Sequence, residues 1–160
     1  MTDRTTPYDI FISHDEEDNV LAARLRDDLP LAKLTVCPHS TYSPDTLAEC
    51  RVLVTLQSRH KAPGPVRAAM AAAQATETPI VSVYTQGEQI ALRRVGRDPI
   101  YDSYGQGVVQ LVYAVWAMLD DVRGQMVVEN PLETGEDPLV WLAKLAREQG
   151  APDDQLPPGD

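Results

Sequence analysis

The chain has 160 residues, of which 43 % are hydrophobic and 24 % are charged, a composition typical of one globular domain. Its 14 basic and 24 acidic residues leave a net charge of −10, which argues against a nucleic-acid binder because such proteins need a basic surface. No apolar run approaches the ~20 residues of a membrane span, and the first residues have no apolar core like that of a signal peptide. We therefore expect a cytoplasmic protein that does not contact membranes.

A strand and a helix are predicted at the start of the chain. The apolar tripeptide Ile-Phe-Ile at residues 10–12 precedes a polar turn, and apolar side chains then recur with helical spacing from Val20 to Leu29. This pattern predicts a strand over residues 9–13 and an amphipathic helix that begins near residues 15–18. A strand, a turn and a helix in this order begin a parallel α/β unit.

The polar turn after this strand is the first candidate site. In parallel α/β folds the ligand edge lies at the carboxyl ends of the strands, so Ser13, His14 and Asp15 are candidate pocket residues that suit ribose and phosphate contacts. The alternative is that Ser13 and Asp15 only cap the turn and the helix, and the two roles are compatible. Asp18 fits the start of the helix better than a pocket.

The middle of the chain alternates apolar runs with turn-rich segments. Proline, glycine and short polar residues separate these runs and mark the loops. The pattern predicts, in chain order, a short strand over 34–37, a loop or single helical turn over 38–48, a central strand over 51–57, a helix over 66–75, a strand over 79–84 and a weaker strand over 98–101.

A basic segment follows the central strand, at the predicted ligand edge. Ser58 ends the strand, Arg59, His60 and Lys61 come next, and Arg67 lies at the start of the following helix. Such a patch can hold a phosphate or an acidic partner. A solvated loop beside a helix is the alternative. Ser58 and Arg67 join the candidate ligand-binding residues.

The last third of the chain is predicted to be helical. Apolar side chains mark a long helix over 108–119, and Asp137 with Pro138 has the pattern of a cap and a first-turn proline for a final helix. If this final helix is only partly covered, its apolar face offers a partner surface, formed by Leu139, Trp141, Leu142 and Leu145. The predicted elements together indicate an α/β protein with a flavodoxin-like, doubly wound parallel sheet of four to five strands and C-terminal helices.

The amino-acid sequences of several segments resemble those of Toll/interleukin-1 receptor (TIR) domains of bacterial type, over about residues 7–120. The resemblance implies a flavodoxin-like fold and self-association, and many bacterial members also cleave NAD at its nicotinamide bond. We therefore expect a TIR-like domain over 1–130 and a C-terminal helix over 131–149 packed on or beside it. The composition of residues 150–160, rich in Asp and Pro, predicts a disordered tail. The segments that carry the resemblance are Tyr8-Asp9-Ile10-Phe11-Ile12-Ser13-His14 with Glu17-Asp18, the strand 51–58, the strand 80–84 and Asp102-Ser103-Tyr104-Gly105.

Two departures from the family affect the reaction. Enzymatic members carry a glutamate on the third helix that handles the nicotinamide ribose, and the matching position falls at or beside Ala69 in a helix without any carboxylate. Glu49 and Glu77 precede strands, so we expect them at the opposite edge of the sheet. The segment between the second and third strands is also shortened to about a dozen residues, so the family's long loop and second helix are largely missing.

These features favour a TIR-like signalling or assembly domain that acts by protein interaction or nucleotide sensing and does not cleave NAD. The alternative is an NAD(P) glycohydrolase or another nucleotide-processing enzyme with a rearranged active site. A third hypothesis is an adaptor whose partner docks on the C-terminal helices. NAD or a related nucleotide is the candidate ligand, and no cofactor is assigned.

Other kinds of site find little support in the sequence. Cys37 and Cys50 lie in apolar segments and are interpreted as buried thiols rather than a disulfide or metal pair. The three histidines lack the spacing of zinc ligands, so no metal is expected. Gly105-Gln106-Gly107 lacks the third glycine of a dinucleotide-binding loop, and the chain has no phosphate loop or nucleophile elbow.

Overall fold

The computed structural model describes residues 8–39, 43–57, 64–87, 89–92, 101–119 and 131–150. Short 3-10 turns at Glu16–Asp18 and Leu29–Ala32 flank the first helix. The strands are β1 (Tyr8–Ser13), β2 (Cys50–Gln57), β3 (Ile80–Gln86) and β4 (Gln89–Leu92); the helices are α1 (Asn19–Asp28), α2 (Pro44–Ala48), α3 (Gly64–Ala75), α4 (Tyr104–Leu119), α5 (Pro131–Thr134) and α6 (Pro138–Gly150).

The described strands form one sheet in the order β1-β2-β3-β4. The pairs β1–β2 and β2–β3 are parallel, whereas β3 and β4 are antiparallel. Residues 52–57 of β2 are all buried, as expected of a central strand covered by helices on both faces. The predicted α/β class with a flavodoxin-like sheet and C-terminal helices is confirmed.

Residues 34–37, predicted to form a strand, make only a single β-bridge. Val36 forms an isolated parallel bridge with Ile10 on the side of β1 that faces away from β2. The Asp9 carboxylate accepts a 3.0 Å hydrogen bond from the Thr35 amide, and this side-chain bond occupies backbone that a longer ladder would use. Lys33, with φ 65°, turns the chain just before the bridge and Pro38 follows it, which leaves little extended backbone to pair.

A strand was predicted over 98–101, of which only Tyr101 is described and is not in a strand; the structure contains another strand, earlier in the chain, that was not predicted. The fourth strand is β4, which follows β3 after a tight turn at Gly87, where φ is 62° and glycine is favoured. Residues 98–100 lie outside the described residues, and Asp102 bridges Ile90 of β4. The chain therefore makes a short antiparallel hairpin where the pattern suggested a further crossover.

Two apolar clusters cover the two faces of the sheet. Side chains alternate between the faces along each strand, so Ile10, Ile12, Val52 and Val54 join α1 and α4 on one face. On the opposite face α2 and α3 pack against the sheet, and the buried members there are Phe11, Cys37, Leu47, Cys50, Leu53, Ala69 and Ala73.

The C-terminal helix belongs to the larger of these cores. The Asp137 carboxylate accepts a 2.8 Å hydrogen bond from the Leu139 amide, which confirms the predicted cap of α6. Trp141 is buried between Tyr113 and Trp116 of α4, and Leu142 and Leu145 are buried with it. Three of the four residues of the predicted partner surface, Trp141, Leu142 and Leu145, are thus covered within the chain.

The side chain of Leu139 in α6 is exposed. Leu139 is 43 % exposed and its neighbour Val140 is 50 % exposed, so this part of the predicted apolar face is not covered. The disordered tail predicted over 150–160 lies outside the described residues, apart from Gly150 at the end of α6. Within the described part of the chain, no helix has the length and apolar character needed to cross a membrane.

Candidate functional site at the switch point of the sheet

The segments that follow β1 in the chain are placed on opposite sides of it. After β1 it runs outward to the bridge at Val36, and it then crosses back to add β2 on the other side of β1. The segments that follow β1 and β2 lead to helices on opposite faces, α1 and α3. Such a switch point leaves a crevice at the carboxyl ends of the two strands, which is where ligands bind in open α/β sheets.

Three hydroxyl side chains form a row across the sheet beside this crevice. Ser13 pairs in register with Thr55, and Thr55 pairs in register with Ser82. Register partners in parallel strands point to the same face. Ser13 lies two residues after Phe11, and Thr55 lies two residues after Leu53, so the row is on the face covered by α3. All three residues are buried, with exposures of 2 %, 0 % and 8 %.

Two buried polar atoms next to this crevice have no hydrogen-bond partner. The hydroxyl of Thr55 and the side-chain oxygen of Gln57 are both buried, and neither is satisfied by any of the described residues. Gln57 is the last residue of β2 and lies on the same face as Thr55. Each unsatisfied buried group costs about 1–3 kcal/mol, so these two atoms are an unfavourable feature of β2 near the carboxyl edge of the sheet.

The acidic residues after β1 do not act as helix caps. Asp15 precedes the first 3-10 turn and Asp18 precedes α1, yet neither carboxylate makes a capping hydrogen bond. The side chain of Thr85 in β3 lies near enough to the Asp18 carboxylate to affect its pKa. Burial raises the pKa of Asp18, and the Thr85 hydroxyl opposes this rise. Asp15 therefore occupies a cap position without making a capping bond, whereas Asp18 lies at the start of α1, as predicted.

The imidazole of His14 is occupied at both nitrogens. Its Nε2 lies 3.2 Å from a terminal nitrogen of Arg26, and its Nδ1 lies 2.9 Å from the backbone oxygen of Asp15. A guanidinium only donates, so Nε2 accepts and the proton resides on Nδ1, which donates to the carbonyl. Both ring nitrogens of His14 are thus engaged, and the side chain positions the turn instead of offering a nitrogen to a ligand.

The burial of Arg26 beside His14 is energetically unfavourable for its guanidinium. Its side chain is half-buried, and burial lowers the pKa of the guanidinium. Its Nε atom is buried without a partner among the described residues. The contact with His14 is the one hydrogen bond recorded for this side chain within those residues, so Arg26 and His14 act as a pair that anchors α1 to the turn.

Only Arg67 of the predicted basic patch lies within the described residues. Arg67 lies exposed in the first turn of α3, at the end of the helix that faces the carboxyl edge of the sheet. Ser58, Arg59, His60 and Lys61 lie outside the described residues. Of the five predicted ligand-binding residues, the structure therefore brings Ser13, His14 and Asp15 together at the crevice and places Arg67 on the helix beside it.

Ala69, the position that the sequence resemblance aligns with a family glutamate, is enclosed in the smaller core. Ala69 is fully buried and packs with Phe11, Leu53 and Ala73. Glu49 precedes β2 and Glu77 precedes β3, and both are exposed at the amino edge of the sheet, as predicted. Neither carboxylate can reach the crevice at the opposite edge.

Sequence reasoning missed Thr55, Gln57, Ser82 and Thr85. The signal was available in β2, where Thr55 and Gln57 interrupt an apolar strand at a spacing of two residues. Two polar side chains on one face of a buried strand point to a polar environment at its carboxyl end. The pairing of Asp18 with Thr85 had no local signal, because the two residues are 67 positions apart (85 − 18).

No protein-family model, no curated protein and no solved structure matches this chain. Within the described residues, no three His, Cys, Asp or Glu side chains come together as a set of metal ligands. The geometry at the crevice is therefore the basis for assigning a function.

Proposed function

We propose that this chain is a TIR-like domain that acts by binding, through nucleotide sensing or protein interaction, and that it does not cleave NAD. The observation that carries the proposal is the crevice at the switch point, where Thr55 and Gln57 leave two buried polar atoms unsatisfied. A site of this kind has groups that hold a ligand. Among the described residues, the third helix brings no carboxylate to this site.

The fold and the first sequence motif support the TIR-like part of the proposal. The segment 8–14 forms β1 and the start of the turn, and its polar end lies at the ligand edge of a flavodoxin-like sheet. Fold alone does not determine function, so the proposal depends on the residues at that edge.

The third helix supports the part of the proposal that excludes NAD cleavage. Residues 64–75 contain no carboxylate, and Ala69 is closed into an apolar cluster. Losing a group that stabilises charge in the transition state costs roughly 10²–10³ in rate for a single donor. A carboxylate at position 69 would also be buried without a counterion, which is unfavourable.

One observation favours the second candidate, a nucleotide-processing enzyme with a rearranged site. Asp18 is half-buried at the crevice and burial raises its pKa, which is a property of carboxyl groups that transfer protons. In this reading Asp18 replaces the missing glutamate. The two candidates differ in whether NAD is consumed.

An NAD turnover assay with product separation tests the proposal. We expect no nicotinamide release above a buffer blank from the wild-type chain, together with a concentration-dependent oligomer or a bound nucleotide in the same preparation. Nicotinamide release that disappears in Asp18→Asn and persists in the matched control Glu49→Gln, at the opposite edge, would establish the enzyme instead.

We also propose a cytoplasmic location. Cys37 and Cys50 are free buried thiols, and burial raises the pKa of Cys50, which disfavours the reactive thiolate. Free thiols are typical of reducing compartments. Fractionation of the source cells tests this location, and recovery with the secreted fraction would contradict it.

A further inference from the structure

We propose, resting on the protein-interaction part of the proposed function, that a short extended peptide segment of a partner protein, with apolar side chains, binds along the outer edge of β3. A cavity of about 520 Å³ lies against this edge, and ligand sites typically measure about 300–1,000 Å³. Its lining includes Ile80, Val81 and Ser82 of β3. Ile80 is the first residue of β3, so the cavity lies towards the amino edge of the sheet, away from the crevice at the carboxyl ends of β1 and β2.

The backbone groups of Ile80 and Ser82 face away from β2, towards the outer edge. The Leu53 amide of β2 donates a 2.9 Å hydrogen bond to the Pro79 carbonyl, so alternate residues of β3, counted from Pro79, bond to β2. Ile80 and Ser82 lie between these residues, and each directs an N–H and a C=O group to the outer side, about 6.6 Å apart along the strand. An extended peptide backbone carries donors and acceptors at this same repeat, which is how a strand adds to the edge of a sheet.

The cavity continues the line of β4 along the edge of β3. Leu92, the last residue of β4, pairs with Val83 and also lines the cavity. A peptide strand beside Ile80 and Ser82 would therefore extend the ladder that β4 begins, in the space that the cavity provides.

Helices from both faces of the sheet form the walls of this cavity. Met70 and Gln74 of α3 line it on one side, and Ala114 and Met118 of α4 line it on the other. Side chains of an added strand alternate between the two faces, so successive ones would contact α3 and α4 in turn. Methionine is flexible and adapts to ligands of different shape. The described residues of the lining include no charged side chain, which favours apolar side chains in the peptide.

Isothermal titration of the full chain with capped peptides tests this site. The probes are acetyl-Val-Ala-Val-amide and the same peptide N-methylated at two successive residues, one of which must face β3. We expect heat from the unmodified peptide at millimolar concentration. The methylated peptide should bind at least about tenfold more weakly, because it loses a hydrogen bond to the edge of the sheet.

A charge in the wall of the cavity should also weaken the peptide. Met118 lines the cavity and is 46 % exposed, and Val140 of α6 is 50 % exposed and is not among the residues that line it. Met118→Glu should lower the affinity at least about tenfold, since the apolar side chain of the peptide would then lie against a carboxylate. Val140→Glu, the matched control, should leave the affinity unchanged.

Hydrogen exchange separates a partner peptide from another part of this chain as the occupant. The amides of Ile80 and Ser82 should exchange faster than the amide of Tyr84, which pairs with Ala91 of β4, and they should slow when the peptide is added. Protection of both amides equal to that of Tyr84 before any peptide is added would mean that this chain covers its own edge, and would overturn the proposal.

Three further outcomes would overturn the peptide site. They are silence of the unmodified peptide at millimolar concentration, equal binding of the methylated peptide, and unchanged affinity in Met118→Glu. The comparison of the two peptides and the exchange measurement use the wild-type chain, so they decide the matter even if a substitution disturbs folding. The proposed function is judged separately, by NAD turnover. A chain that binds a nucleotide without cleaving NAD keeps that function when the peptide site fails, whereas NAD cleavage removes the function whatever the peptides show.

Discussion

The hydroxyl of Tyr104 donates a 2.6 Å hydrogen bond to the Asp28 carboxylate, joining the first residue of α4 to the last residue of α1. The ring of Tyr104 is buried, and the guanidinium of Arg24 lies 3.7 Å above it. Burial and the bond to Asp28 both raise the pKa of the Tyr104 hydroxyl, so the proton stays on the tyrosine. The two helices that cover one face of the sheet are thereby tied together at their ends.

Removing this hydroxyl should destabilise the fold. In Tyr104→Phe the ring and its contact with Arg24 remain, but Asp28 loses a donor in a partly buried place. We expect the free energy of unfolding to fall by about 1.5–3 kcal/mol, the usual range for a hydrogen bond to a charged group. Urea denaturation followed by circular dichroism measures the change. Asp27→Asn, at the exposed neighbour, should change stability by less than about 0.5 kcal/mol, and an equal loss in both variants would contradict the assignment.

The closest approach of a helix to the sheet depends on Gly107. A Cβ atom at this position of α4 would overlap Cγ1 of Ile90, which is buried in β4. Gly107→Ala must push α4 or Ile90 aside, and overpacking of this kind costs about 1–3 kcal/mol. Thermal unfolding should therefore show a lower midpoint.

The same substitution elsewhere gives the control for Gly107. A Cβ at Gly64 meets nothing within 4 Å, and its backbone is not left-handed. Gly64→Ala should keep or slightly raise the midpoint because alanine favours helix. A Gly107→Ala protein as stable as Gly64→Ala would show that α4 does not approach β4 so closely.

The parts of the fold that were predicted correctly are those in which pattern and burial agree. The strand at 51–57 is apolar because helices cover both of its faces, and the α4 segment keeps its helical period because one side is buried. The edge of the sheet was mispredicted, since Val36 makes one bridge and β4 is only four residues long. Short edge strands have too few residues to show a period.

The candidate site was predicted in its location and only partly in its members. Ser13, His14 and Asp15 follow a recognisable strand, so their place at the ligand edge could be read from the chain. The partner of His14 is Arg26, which a helix brings back across the turn, and local sequence carries no sign of that contact. Register across β1, β2 and β3 likewise depends on the whole sheet, so the hydroxyl row of Ser13, Thr55 and Ser82 became apparent only in three dimensions.

The docking of α6 on α4 through Trp141 should be essential for stability. The indole of Trp141 stacks with the Tyr113 ring at 5.8 Å and lies 6.3 Å from the Trp116 ring. Trp141→Ala removes a buried aromatic side chain, which typically costs about 3–5 kcal/mol. We expect a large loss in urea denaturation. Val140→Ala, at a position 50 % exposed, should cost little. Similar small losses in both variants would mean that α6 is not part of the core.

The charge of Asp18 should make stability depend on pH in a defined direction. Burial raises the pKa of Asp18 above its ordinary value of 3.8, so the folded chain binds this proton more tightly than the unfolded chain. The free energy of unfolding therefore falls as the pH rises from 3.8 through the raised value, and the loss is complete above it. Asp18→Asn has no such titration. The thermal midpoint of Asp18→Asn minus that of wild type should increase as the pH rises across this range and then stay constant. Glu17→Gln is the exposed control. A difference that shrinks with rising pH would mean that the Asp18 carboxylate is stabilised by folding, and that Thr85 outweighs burial.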